Sequence, residues 1–398
     1  MASVNDMNFT QVSTILNSIN AQATGTNPIA PVNTAEFVSV AQTTLKMGYD
    51  PVLKALSQVL NRTIFSIRPY SRKFRGLEIT PQKFDAITRK VNAVDKSLTD
   101  DDRMLARDSV VLPDGTSVDP WIINKPEIIQ TNFYGQAMFQ KQLTIFRDQL
   151  DSAFSGPDQF AEFISLCMTN AQNQIEQAHE NIARATVGNL IGGIIGANHA
   201  PQVVKLLSEY NDRTGLELDN QTVYDPANYP DFIRWVYGRI GGLVKMMAER
   251  SSIYHLNIEG KPIMRHTPAD RLRAYIYTPA QMAMESQVLA TTYNDNYLKL
   301  TEHELVNYWQ SIETPDSIDV NPVWMTNTGA LTDGAQQIQQ DNIFGVLMDD
   351  EAAGYAIVDH WTAATPMNAR GGYSNMFFHF RDKYFNDFTE NAVVLLLE

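Results

Sequence analysis

Cysteine is almost absent from this chain. Its 398 residues hold one, Cys167, so no internal disulfide can form. Cys167 falls among apolar residues and reads as a small buried hydrophobe. A reactive thiol would need exposure and a nearby cation. Positive charge is scarce at the start: the first basic residue is Lys46, so the charged opening of a secretion signal is missing. Long hydrophobic runs are missing too. The longest apolar cluster, Leu190–Ala197, is too short and too rich in glycine to span a bilayer. Lys and Arg number 31 against 45 Asp and Glu, a net charge of -14, which argues against a surface shaped mainly to grip nucleic acid. Together these absences describe a soluble product of a reducing cytoplasm.

Signatures of catalysis are also lacking. No Gly-x-x-x-x-Gly-Lys-Ser/Thr phosphate loop occurs. His303-Glu304 opens like a zinc-protease helix, but position 307 is Asn, so the second ligand is missing. The seven histidines are scattered, with no ligand pair at i, i+4. Gly188, Gly192, Gly193 and Gly196 have the spacing of close packing, without the strand before them that a dinucleotide site needs. Asp100-Asp101-Asp102 is read as a solvated turn capping a helix, with a cation site as the sharper alternative. Paired carboxylates cannot be singled out among 45 acids. The expectation is a protein that is not an enzyme, with no cofactor and no metal.

What is present is a long helix. After Ser155-Gly156-Pro157-Asp158, apolar or small residues recur at Phe160, Phe163, Ile164, Cys167, Met168, Ala171, Ile175, Ala178, Ile182 and Ala185. Steps of three and four place them on one stripe. Gln159, Glu162, Asn173, Glu176, Glu180 and Arg184 fall on the other face. The pattern predicts one helix from Asp158 to Ile191, about 50 Å long, ended by Gly192-Gly193 or Gly196 and packed along the C-terminal strand. A compact domain rarely needs such a rod; an elongated protein or a thin wall does.

Around it the chain reads as α+β. Residues 1–35 are polar and nearly uncharged, with short helices near Phe9–Ile19 and Pro51–Leu60; this reads as an arm without a core of its own. From Arg62 to Lys90 eight basic residues face only Glu78 and Asp85. The following thirty residues are acidic, with Asp95, Asp108, Asp114 and Asp119 beside the triple Asp. Strand patterns at Thr63–Ile67 and Ile128–Tyr134, with a turn at Leu112–Thr116, predict a polar two-stranded excursion. An isolated hairpin is marginal, so it calls for a neighbouring molecule. The basic stretch has three readings: contact with an acidic surface of an identical copy, contact with nucleic acid through interleaved Phe65, Tyr70 and Phe74, or a solvated face. Further on, helices are expected at Gln136–Asp151, Asp231–Glu249, Pro279–Leu289 and Thr301–Gln310. Strands are expected at Ala274–Tyr277, Ile318–Met325, Ile343–Met348, Tyr355–Val358, Met376–Arg381 and Ala392–Leu397. The apolar C-terminal run should pair in a sheet beside the long helix, making that domain discontinuous.

The closing stretch carries a resemblance. Thr365-Pro366-Met367-Asn368-Ala369-Arg370-Gly371-Gly372-Tyr373, the aromatic strand through Phe380, and Asn386-Asp387-Phe388-Thr389-Glu390-Asn391-Ala392-Val393-Val394 resemble the end of tailed-bacteriophage major capsid proteins, in particular the phi-29-like podovirus group. The order of elements is similar to the Hong Kong 97-type capsid fold. That resemblance implies an N-terminal arm over 1–62, an extended loop over 63–134, a peripheral domain with a spine helix over 135–200, an axial domain over 201–359, and return strands over 360–398. It implies a subunit that self-assembles into the icosahedral shell around a phage genome, localised to the virion and assembled in the host cytoplasm. Implied partners are identical subunits in pentamers and hexamers, a portal, a scaffold protein where one is used, and packaged double-stranded DNA without sequence specificity, with no membrane. Arg68, Arg72, Lys73, Arg75, Lys83 and Arg370 are the candidate contacts between subunits. The alternatives are an encapsulin-like compartment shell and, more remotely, an α+β enzyme.

Overall fold

The computed structural model describes residues 8–25, 30–64, 74–79, 88–94, 121, 128–258, 261–280, 282, 303–324, 326, 330–332, 334 and 336–398. The expected turn at Leu112–Thr116, the Asp100–Asp102 run, residues 65–67 of the first expected strand and most of the expected helix Pro279–Leu289 lie outside them. The chain forms two compact units, each built from separate pieces: 1–84, 135–185 and 354–384 in unit one, and 85–134, 186–353 and 385–398 in unit two.

Unit one begins with three helices, α1 (Phe9–Thr24), α2 (Thr34–Lys46) and α3 (Tyr49–Ile64). Helix α1 starts on a reciprocal cap: Asn8 and Gln11 each accept the other's backbone N–H. It ends on Gly25, whose φ of 69° suits a left-handed cap. The apolar faces of all three bury Leu16, Ile19, Phe37, Leu53 and Leu56 in a core shared with Ile145, Phe160, Ile175, Met376 and Phe378. The N-terminal segment is therefore more than a polar arm. Its few large side chains are spaced for one helix face each, and three such faces together close a core. Phe37 and Phe154 both meet the Phe160 ring edge-on, at 5.8 and 5.2 Å.

Residues Gln136–Phe146 form a strand rather than the expected helix. Gln and Met favour helix in isolation, but exposed and enclosed positions alternate along the segment, and pairing decides. Below it is β3, after β1 (Thr88–Ala93) and β2 (Ile128–Phe133). With β10 (Ala353–Ala364) and β11 (Tyr373–Asn386) it makes a three-stranded sheet in the order β10-β11-β3. Alternate residues of β11, from Ser374 to Asp382, are buried. A short helix α4 (Arg147–Ala153) leads to α5 (Pro157–Ala197), one helix of 41 residues, about 60 Å long. Phe160, Ile164, Cys167, Ala171, Ile175 and Ile182 of its apolar stripe are buried as the periodicity requires, Phe163 and Ala178 are half-buried, and Ala185 is exposed. Glu176, Glu180 and Arg184, expected on a solvated face, are buried as well. Arg184 pairs with Glu180 at 2.7 Å and lies over the Phe74 ring at 5.3 Å, and His179 Nε2 lies 3.3 Å from Asp382 of β11. Charge on that face is matched inside the protein, which periodicity alone does not reveal.

Helix α5 runs past the glycines and stops at Ala197, where Asn198 takes a φ of 49°. The glycines serve packing. A Cβ on Gly192 would lie 2.5 Å from Val320, one on Gly196 2.7 Å from Trp324, and one on Gly193 would overlap the Phe388 ring.

Unit two has a five-stranded sheet in the order β4-β12-β9-β5-β6, from β4 (Val203–Lys205), β5 (Leu272–Tyr277), β6 (His303–Val306), β9 (Ile343–Asp349) and β12 (Ala392–Leu396). Helices α6 (Leu206–Thr214) and α7 (Tyr229–Ala248) supply Tyr210, Phe232, Val236, Ile240 and Leu243 to a core with Ile276, Leu347, Val393 and Leu395. Strand β6 replaces the expected helix at Thr301–Gln310, so His303-Glu304 sits on a strand paired parallel to β5. The small pair β7 (Ile318–Val320) and β8 (Ile338–Gln340) is antiparallel.

Candidate functional site

The polar excursion is where the sequence places contacts to other copies. Its two strands pair antiparallel in unit two, Thr88 opposite Phe133 through Ala93 opposite Ile128. The partner of Ile128–Phe133 is thus β1 and not Thr63–Ile67, whose first two residues close α3. Thr-Arg-Lys-Val-Asn-Ala shows little apolar alternation, so the pattern hides this strand.

An ion cluster ties the foot of this pair into unit two. Lys90 Nζ lies 2.7 Å from Asp387 and 3.4 Å from Glu351, and also bonds Glu390. Arg265 Nε lies 3.2 Å from Glu390 and donates to the Thr389 carbonyl, while its Nη2 donates to Asn92 at 2.6 Å. Alternation along β1 puts Lys90 and Asn92 on the same side. Arg271 extends the network to Asp349, Asp350 and Glu351, at 3.2, 2.9 and 2.6 Å. Burial alone would lower the Lys90 ammonium pKa, but Asp387 and Glu390 outweigh it and hold it above the ordinary lysine value. Burial raises the Glu390 carboxyl, only partly offset by Lys90 and Arg265. Lys90 therefore leaves the set of basic residues open to a partner. Its acids stand some 300 positions away, and no spacing rule links them.

Of the candidate contacts, Arg68, Arg72, Lys73 and Lys83 lie outside the described residues. Arg75 opens the short 3-10 turn Arg75–Leu77 in unit one. That turn is fixed by buried Phe74 and Leu77 and by the Ile79 N–H, which donates to the Tyr355 carbonyl at 2.9 Å. Arg370 is exposed in the β10–β11 turn. There Asn368 Oδ1 accepts the N–H groups of Arg370 and Gly371, at 3.0 and 2.9 Å, and Gly372 takes a φ of 62°. The Gly372 carbonyl accepts the Arg147 N–H at 2.8 Å. The Asn-Ala-Arg-Gly-Gly-Tyr run thus builds a rigid tip that presents one guanidinium. The described residues hold no group of His, Cys, Asp and Glu suited to a metal ion and no helix long and apolar enough to cross a membrane.

The fold is shared with chains from phage heads. A chain in the capsid structure of Staphylococcus phage Andhra superposes with a TM-score of 0.53 at 10% identity, over 82% of this chain and 84% of that one. A chain in the structure of head fiber and inner core protein gp22 of native bacteriophage P68 does so with a TM-score of 0.50 at 10% identity, over 82% and 85%. At such identities the likeness defines a class, a mixed α+β capsid fold. The model of the Phi29-like phage major capsid protein family matches residues 104–396, and the chain belongs to that family. It is a shell-forming major capsid protein of a virion, and its family is one of structural proteins. The encapsulin-like alternative falls away with that membership. No curated protein matches the sequence.

Proposed function

We propose that the subunit builds an icosahedral shell in the Hong Kong 97 manner. On this reading 1–62 is the arm, though its helices also pack into a core, 63–134 is the extended loop, 135–200 with 360–398 the peripheral domain on its spine helix, and 201–359 the axial domain, to whose sheet β12 of the last segment is added by its pairing with β4 and β9. The observation that carries it is α5, a single 41-residue helix in a chain that also holds a polar strand pair. A wall subunit needs one stiff member and a reach to its neighbours; an enzyme needs neither. Identical copies would meet as pentamers and hexamers, with a portal, a scaffold protein and packaged double-stranded DNA as further partners, and assembly would take place in the host cytoplasm. Arg68, Arg72, Lys73, Arg75, Lys83 and Arg370 would meet acidic surface on the next copy. The net charge of -14 supports that choice over nucleic acid.

The test is the variant Arg72→Glu with Lys73→Glu and Arg75→Glu. Circular dichroism should show a folded subunit, and light scattering should show shell yield reduced at least ~10-fold, since attraction across the contact becomes repulsion. Added salt should slow assembly of the unaltered protein, because exposed charges are screened over about 8–10 Å near physiological ionic strength. Shells at normal yield from the triple variant would overturn the contact. Normal shells that lose their genome would favour nucleic acid instead.

A further inference from the structure

A second site lies in unit two, away from the ion cluster. Tyr224, Tyr229, Tyr277 and Phe344 line a cavity of about 100 Å³ beside the start of β9, and Asp316 lines it with them. Tyr224 and Tyr229 sit 5.2 Å apart between centroids, with Tyr229 buried and Tyr224 exposed at the mouth. The backbone fixes Asp316: its carbonyl accepts the Ile343 N–H at 2.9 Å. Its half-buried carboxylate has no ion pair or side-chain hydrogen bond to any described residue. That sets it apart within its unit, where Asp349, Asp387 and Glu390 each have a cation. The three phenol groups likewise make no hydrogen bond to a described residue.

We propose that this cavity is a receptor for a single organic cation, an ammonium or guanidinium head group. Aromatic faces are electron-rich and attract cations, most strongly where water is partly excluded. A carboxylate with no cation beside it among the described residues adds to that field and would repel any anion. A hard metal ion would require six or more oxygen ligands, which one carboxylate and three phenols do not provide. The volume admits one head group and excludes a nucleotide or a sugar. The phenols report the same field: burial raises Tyr224 and Tyr277, and Asp316 raises both further. The reading does not depend on how subunits assemble.

Titration calorimetry of the full-length unassembled subunit with tetramethylammonium chloride tests it, with n-butylammonium as a lysine mimic and tert-butanol as a neutral control. Both cations should bind saturably near ~1 mM, and the alcohol should not. Asp316→Asn should weaken binding about 10-fold or more, and so should Tyr224→Ala, while Tyr224→Phe keeps a ring face and should bind within about threefold of the parent. Thermal melts would confirm that each variant is folded; Tyr224 is exposed and its replacement leaves the core intact. Two sources of the cation are separable. If assembled shells no longer bind the probe and Asp316→Asn lowers shell yield, the occupant is a lysine or arginine of a neighbouring copy. If shells bind it as the subunit does, the occupant is a free amine. No saturable binding by the subunit, or binding unchanged in both Asp316→Asn and Tyr224→Ala, would overturn the proposal.

Discussion

Cys167 and Lys90 show opposite fates for a side chain read from sequence. Cys167 is buried, and that burial pushes its thiol up to about 12. In an unfolded chain a thiol ionises near about 8.5. Between those values the folded chain keeps a proton that the unfolded chain releases, so stability falls as pH rises through this window. Melting temperature should drop from pH 8.5 to pH 10.5, and less in Cys167→Ala. Iodoacetamide should leave the native thiol unlabelled at pH 8 and label it fully in denaturant. This residue was legible because apolar periodicity decides its surroundings. Lys90 was not, since basic residues counted along a chain look alike. Arg89 is exposed, whereas its neighbour on the strand turns to the other side and meets Asp387 and Glu390. Lys90→Met leaves two buried carboxylates without that cation and should cost roughly 3–5 kcal/mol in urea unfolding, while Arg89→Met should stay within about 0.5 kcal/mol. The raised Lys90 pKa means its contribution is full below the ordinary lysine range and lost as pH rises through the folded value.

Elements were legible where one physical signal dominated. Helix α5 was readable from its stripe and from Pro157-Asp158 at its start, and β9, β10, β11 and β12 from their apolar and aromatic runs. Its end was not, because glycine reads as a stop while here it admits Val320, Phe388 and Trp324 against the helix. Strands β3 and β6 were missed for a related reason: their residues favour helix when isolated, and partners β11 and β5 overrule that preference. Helix α2 was passed over because its capping residue Asn33 sits just after a Pro-rich break. Ile175, 3% exposed on α5, belongs to the core of unit one. Ile175→Asp buries an unmatched charge and should lose at least ~3 kcal/mol, with the chain recovered in the insoluble fraction. Ile175→Val should remain soluble and lose about 1 kcal/mol. A soluble, normally melting Ile175→Asp protein would contradict the packing of this helix.

At the scale of the molecule the α+β class was legible, but the apolar run expected beside the long helix is β12, an inner strand of the unit-two sheet; it is β11 that returns to the helix core, and the make-up of unit two was not legible. Its pieces 85–134, 186–353 and 385–398 are joined by contacts such as Lys90 with Asp387, which no local pattern announces. The cavity around Asp316 was equally hidden, since its tyrosines fall at 224, 229 and 277, on three different segments. The position of β12 has a consequence for how the protein is made. The strand is fully buried and lies between β4 and β9, with Val394 opposite both Val203 and Val346, so it follows both of its partners along the chain. A ribosome adding about 5–20 residues each second must deliver those residues before the sheet can close. Chains stopped early therefore lack an inner strand, not a loose tail. When a chain ending at Asn391 is co-expressed with the full one, purified shells should contain the full-length chain and almost none of the short one. A sheet whose inner strand is made after both of its neighbours would thus exclude from the wall any copy that stops before residue 392.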